Sequence, residues 1–170
     1  MFSALGRLAT GLVLPALMLS GCTVESMMST HAPKFVQVFP ENEPVPAGVG
    51  DPGGLNGQIA RYSALFHVPE SLIRRIIVRE SGYNSAARHG PYWGLMQIRY
   101  DTARSMGYNG SAAGLLNADN NLRYGVKYLA GAYMVAHGDP EKAVSFYASG
   151  YFYDARRLGL LEAVGLKRGK

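Results

Sequence analysis

Between Pro69 and Ser81 the chain reads Pro-Glu-Ser-Leu-Ile-Arg-Arg-Ile-Ile-Val-Arg-Glu-Ser, and its apolar residues are spaced for a helix. Leu72, Ile73, Ile76 and Ile77 recur at intervals of three and four, while Arg74, Arg75 and Arg79 fall largely elsewhere on the wheel. Such a stripe has to be buried, so the rest of the fold must cover it. Glu80 stands three residues after Ile77 and four after Ile76, which extends the stripe with a carboxylate. Desolvation at that position disfavours the charged form and raises the pKa, as a general acid working near neutral pH requires. The alternative is a helix-end carboxylate that reaches solvent or pairs with Arg75, Arg79 or Arg88. The stripe alone does not choose between them.

Helical signals continue on both sides. Gln58 to Phe66 predicts a first helix with Ile59, Tyr62 and Phe66 in phase, and Pro69 suits the first turn of the next. Asp101 is placed to cap a helix over Thr102–Met106 that Gly107 ends. Leu122, Val126, Leu129, Tyr133 and Ala136 predict a long amphipathic helix closing at Gly138. Asp139-Pro140-Glu141 supplies cap, proline and acid in order for a helix that Gly150 terminates, and Arg156 to Val164 predicts a last short one. There is no tandem repeat and no sustained strand alternation here. About 115 residues follow Asn56, enough for one domain and too few for two.

The first fifty residues have a different character. Arg7 precedes an apolar run from Leu8 to Leu19, too short to cross a bilayer and suited to a signal-peptide core. Leu19-Ser20-Gly21-Cys22 resembles the bacterial lipobox, at which the signal is removed and the cysteine is lipidated. Cys22 is the only cysteine, so no internal disulfide competes with that reading. From there Pro33, Pro40, Pro44, Pro46 and Pro52 mix with Gly48, Gly50, Gly53 and Gly54, a composition that resists regular structure. The exception is Phe35-Val36-Gln37-Val38-Phe39, which reads as a short strand or a docked arm. The expected organisation is a lipoprotein signal peptide over 1–21, a tether over 22–55 and a folded domain over 56–170.

The net charge is +5, and signal removal takes only Arg7 from it, so the processed chain stays basic. A basic surface suits polyanions. No zinc-finger spacing or RNA-binding motif argues for nucleic acid as a partner, and export argues against it. His31, His67, His89 and His137 are scattered without metal-ligand spacing, which predicts ordinary structural roles, no metal site and no cofactor.

Four blocks stand in register downstream of the helix: Glu80-Ser81-Gly82-Tyr83-Asn84; Gly94-Leu95-Met96-Gln97-Ile98; Asn121-Leu122-Arg123-Tyr124-Gly125 with Tyr128-Leu129; and Phe146-Tyr147-Ala148-Ser149-Gly150. In this order they resemble the soluble lytic transglycosylase family, relatives of goose-type lysozyme that cleave peptidoglycan, and the resemblance covers roughly residues 56 to 155. It implies an all-α, lysozyme-like lytic transglycosylase domain, here preceded by a signal peptide and a flexible tether. It also implies peptidoglycan glycan strands as the partner. Thr23 after Cys22, in place of aspartate, favours by family resemblance the outer membrane, with the domain in the periplasm.

Glycosidases usually deploy two carboxylates. Here Glu70 lies at the opposite end of the same helix, while Asp101, Asp119 and Glu141 belong to other helix starts, so no second catalytic carboxylate presents itself. The family resembled needs only one: the acid protonates the glycosidic oxygen, then removes the proton of the N-acetylmuramic acid C6 hydroxyl as a 1,6-anhydro ring closes. That role falls to Glu80. Ser81 matches the family serine that orients the acid or reaches the N-acetyl group, with a helix-end serine bonded to its own backbone as the alternative. Gln97 matches the family glutamine and offers a donor and an acceptor to an acetamido sugar. Met96 matches a methionine bordering the sugar site, although core packing is its ordinary role, and Gly94 permits close backbone approach to a ligand. Tyr147 matches a tyrosine whose phenol would hydrogen-bond to the acid. Ala148 departs from the pattern, since the family usually has asparagine there, as do Arg99-Tyr100 in place of a small residue and proline. Tyr83, Tyr92, Trp93, Tyr100 and Tyr108 surround the Gly-Leu-Met-Gln block and suggest an aromatic-lined cleft.

Overall fold

The structure, a computed structural model, describes residues 53–166. The expected signal peptide, Cys22, the Phe35–Phe39 segment expected as a strand or docked arm, and nearly all of the expected tether lie outside the described residues.

Helix α1 spans Leu55–Phe66 and α2 spans Glu70–Ser81. The first begins three residues before the expected Gln58, inside what composition assigned to the tether. Gly54 occupies its cap position without a side chain to signal the start. Helix α2 buries Leu72, Ile73, Ile76 and Ile77, the stripe anticipated from their spacing. It stops at Gly82, whose N–H turns back to the carbonyls of Ile77 and Val78.

Between α2 and the next helix lies a small antiparallel sheet of strands β1 (Arg88–His89), β2 (Tyr92–Trp93) and β3 (Ile98–Arg99) in the order β1-β2-β3. The domain is mostly helical as expected, and this sheet is a small addition to it. Two-residue strands are too short to leave an alternating pattern, so the fold is mostly helical with one minimal sheet. Register sets its faces: His89 pairs with Tyr92 and Tyr92 with Arg99, whereas Arg88 pairs with Trp93 and Trp93 with Ile98. Cross-strand partners share a face. On the second face the Arg88 guanidinium stacks on the Trp93 ring at 4.2 Å, and Ile98 enters a buried cluster with Ala103, Tyr108 and Leu115.

Helix α3 runs over Tyr100–Ser105 and starts before Asp101, which therefore does not cap it; Asp101 lies in the first turn, 3.5 Å from Arg99 Nη2. A 3-10 segment over Ala112–Leu116, capped by the Ser111 hydroxyl, leads into α4, Ala118–Val135, capped by Asn117. Helix α5, Pro140–Ser149, begins as its residues predict, with the Asp139 carboxylate accepting from the N–H groups of Glu141 and Lys142. Helix α6 covers Phe152–Arg157, ahead of the expected Arg156–Val164, and Leu161 to Gly165 passes as turns.

The core forms around α4. Its Leu122, Val126 and Leu129 meet Ile59, Tyr62 and Phe66 of α1, Leu72, Ile73, Ile76 and Ile77 of α2, and Ala143, Val144 and Tyr147 of α5. Ala132 and Val135 further along pack with Tyr151, Ala155, Leu161 and Val164. Two ion pairs tie helices together at their rims, and a third lies within α2. Asp119 holds Arg61 and accepts from Tyr62 Oη at 3.0 Å, Glu70 holds Arg74 at 3.0 Å, and Glu141 of α5 holds Arg75 of α2 at 2.7 Å. The last pair fixes the two helices that carry Glu80 and Tyr147.

Candidate active site

A cleft of about 370 Å³ opens where the end of α2, the sheet and the end of α5 converge, and it is lined by Arg79, Glu80, His89, Tyr92, Gln97, Tyr147 and Ala148. Glu80 reaches it from the last turn of α2, with its side chain 22% exposed. Burial raises its pKa above the ordinary value, and the Arg79 guanidinium, 3.6 Å away, opposes that shift in part. Of the three cations placed near Glu80 by the sequence, Arg75 is engaged by Glu141 and Arg88 by the Trp93 ring, which leaves Arg79.

Among the described residues, no other carboxylate lines the cleft. Glu70, Asp119 and Glu141 are held by arginines, Asp139 caps α5, Asp154 pairs with Arg157, and Asp101 is exposed beside Arg99.

A family model described as the transglycosylase SLT domain matches residues 58–160. The chain belongs to that family. Membership assigns a transglycosylase-type, glycan-cleaving activity directed at peptidoglycan, on a lysozyme-like domain. No solved structure matches the chain.

Within this SLT domain, the residues singled out from sequence divide between cleft wall and support. Glu80, Gln97 and Tyr147 reach the cleft. Ser81, Gly94 and Met96 are not among its lining residues. The Ser81 hydroxyl is 2.7 Å from the Leu95 carbonyl and 3.3 Å from that of Ile77, which ties the end of α2 to the loop before Gln97. Met96 is wholly buried in the core, so its side chain takes the packing role. Gly94, at φ +69, makes its close approach to protein: a Cβ there would lie 2.3 Å from Asn121 Nδ2 and 2.4 Å from the Leu115 carbonyl.

Gln97 is buried and adopts φ +46, a left-handed backbone unusual for a side-chain-bearing residue. Its Nε2 donates to the carbonyls of Gly94 at 2.7 Å and Ala87 at 3.1 Å, and Oε1 lies 2.9 Å from His89 Nδ1. Tyr147 does not make the expected bond to Glu80. Its hydroxyl donates instead to the Met96 carbonyl at 2.8 Å. Burial first, and then the nearby charge of Glu80, hold the phenol well above its usual pKa, so it stays protonated.

Two residues outside the expected set matter. Asn121, fully buried on α4, accepts from Met96 N–H at 2.8 Å and donates to the carbonyls of Trp93 at 2.7 Å and Leu115 at 2.8 Å. A polar side chain in phase with the small Gly125 and Ala132 of α4 was the available signal. His89 lines the cleft, against the structural role expected of it. Only the pairing with Tyr92 reveals which way it faces. The anticipated aromatic lining narrows to Tyr92, 42% exposed, and Tyr147, since Tyr108 is buried with Tyr124 and Trp93 packs under Arg88.

Proposed function

We propose that this domain is a peptidoglycan lytic transglycosylase cleaving the β-1,4 bond between N-acetylmuramic acid and N-acetylglucosamine, with Glu80 acting first as acid and then as base. The observation that carries the reading is a half-buried carboxyl, its pKa raised by desolvation, as the single carboxyl group that the described residues bring to the cleft of an SLT domain. Protonated Glu80 gives its proton to the glycosidic oxygen as the bond from C1 of N-acetylmuramic acid breaks. The resulting carboxylate takes the proton of the C6 hydroxyl while O6 bonds to C1. Glu80 is thereby returned to its acid form and no water is consumed. One carboxyl suffices because the nucleophile belongs to the substrate.

Mass spectrometry of digested purified peptidoglycan tests this. The expected product ends in 1,6-anhydro-N-acetylmuramic acid and weighs one water less than a hydrolytic fragment. Reducing-end muropeptides as the main product would replace the reading with a hydrolytic muramidase. Binding without soluble product would replace it with a non-catalytic wall-binding protein and turn attention to Ala148.

The sequence around Cys22 supports a second part of the proposal, a lipid-anchored envelope protein with this domain in the periplasm. Each buried acyl methylene contributes about 0.8 kcal/mol, so several chains hold a domain at a membrane. Metabolic palmitate labelling should mark the wild type and not Cys22→Ala. Equal labelling of both would remove the anchor.

A further inference from the structure

The neighbours of Gln97 fix the orientation of its amide. Nε2 has two hydrogens and faces two groups that only accept, the carbonyls of Gly94 and Ala87. Turning the amide over would set Oε1 against both carbonyl oxygens and forfeit both bonds. Oε1 therefore faces His89 Nδ1, 2.9 Å away, and because an amide oxygen only accepts, Nδ1 carries a hydrogen. In a neutral imidazole so held, the other nitrogen, Nε2, is a bare lone pair. Two backbone carbonyls thus dictate, through one glutamine, the tautomer of a histidine in the cleft wall.

The sheet decides where that nitrogen is used. His89 and Tyr92 are cross-strand partners on one face, and both line the cleft with Glu80. His89 is exposed and is tied to the protein through Nδ1. Apart from the Tyr92 and Tyr147 hydroxyls, which both donate and accept, the rest of the wall offers few neutral acceptors. Arg79 only donates, Glu80 begins the reaction as a donor, and both ends of the Gln97 amide are engaged with protein. A glycan strand brings many O–H and N–H donors to such a wall.

We infer that His89 is a substrate-binding residue whose Nε2 accepts a hydrogen bond from a hydroxyl or amide N–H of the bound acetamido sugar. Gln97 then acts on substrate through His89 by holding its tautomer. This rests on the glycan-cleaving reading of the cleft.

The test uses the full-length chain with nitrogen-15 in its histidines. Signals of His89 are those lost in His89→Asn, and the neutral ring should show a protonated Nδ1 and an unprotonated Nε2. Adding an N-acetylglucosamine tetrasaccharide to the Glu80→Gln protein should shift the Nε2 resonance in the direction of hydrogen bonding. For cleavage of soluble peptidoglycan fragments, His89→Asn keeps an amide N–H near the place of Nδ1 and removes Nε2. It should raise KM roughly five- to tenfold and change kcat less than about twofold. His89→Gln, which restores a polar atom near the place of Nε2, should recover most of that loss. A neutral ring protonated at Nε2, or a His89→Asn enzyme with wild-type KM, overturns the inference while leaving the transglycosylase reading intact. A wild type that neither binds nor cleaves glycan overturns both.

Discussion

The Tyr147 hydroxyl donates to the Met96 carbonyl at 2.8 Å, and the N–H of the same Met96 donates to Asn121 Oδ1, also at 2.8 Å. One peptide segment is thereby clamped from α5 on one side and α4 on the other, immediately before the strained backbone of Gln97. A residue at φ +46 persists where its surroundings over-determine it. The clamp supplies that constraint, and its parts can be removed one at a time.

Tyr147→Phe keeps the ring and deletes one hydrogen bond to a buried carbonyl. It should lower stability by about 1–2 kcal/mol in urea unfolding. Activity should fall less than about tenfold, because the phenolic proton is directed to Met96 and not to Glu80. A loss as large as that of Glu80→Gln at unchanged stability would place the phenol in the chemistry itself.

Asn121→Leu removes three buried bonds at once and strands the N–H of Met96 and the carbonyls of Trp93 and Leu115. Each orphaned group costs about 1–3 kcal/mol, so a loss of at least about 3 kcal/mol is expected from chemical denaturation. Asn121→Asp should be destabilising as well, since it sets an oxygen against the two carbonyls that now receive Nδ2. A neutral effect of both would show that the loop is held from elsewhere.

Two glycines with similar backbone angles separate conformational strain from steric conflict. At Gly82, φ +56, nothing stands within 4 Å of the place a methyl group would take, so Gly82→Ala should cost about 1 kcal/mol from the left-handed backbone alone. Gly94 at φ +69 adds collisions with Asn121 and Leu115, and Gly94→Ala should cost more than about 3 kcal/mol. Thermal unfolding of the two variants side by side measures the difference. Equal midpoints would mean that the Asn121 clamp yields freely.

What could be read from the residues, and what could not, follows the range of the interactions involved. Helices α2, α4 and α5 announce themselves because their signals are local: the Leu72–Ile77 stripe, the Leu122-Val126-Leu129 face and the Asp139-Pro140-Glu141 cap. The sheet does not, since Arg88–His89 becomes a strand only by pairing with Tyr92–Trp93. Helix α6 was displaced because the buried Ala155 and the turns after Leu158 depend on packing against α4. The site divides in the same way. Glu80 was legible as a carboxylate on an apolar stripe. Met96 and Gly94 were legible as parts of a motif, but a motif does not say whether a residue serves through its side chain or its main chain. Here Met96 serves through its N–H and carbonyl, and Gly94 by having no side chain. His89 carried no pattern at all, because its direction comes from strand register.

Glu80→Gln tests chemistry and electrostatics together. As an acid, Glu80 is expected to contribute about 10²- to 10⁴-fold, so turnover should fall by at least about a hundredfold while the fold persists. Stability should change in the opposite sense. Burial lifts the folded-state pKa of Glu80 above the ordinary 4.5, so the folded protein binds the proton more tightly than the unfolded chain. The wild type is then at full stability below about 4.5, loses some as pH rises from there through the raised folded-state value, and carries a constant penalty above it. Glutamine does not titrate. The variant should therefore unfold at the same or a higher temperature than the wild type at neutral pH, and the gap should close in acid. The side chain is partly exposed, so the gap will be modest, and its sign is what matters. A Glu80→Gln protein that is less stable than wild type at neutral pH, with the deficit disappearing in acid, would mean that Arg79 stabilises the carboxylate more than burial opposes it. Glu80 would then be poised as an ion-pair partner, and the single-acid mechanism would lose its physical basis.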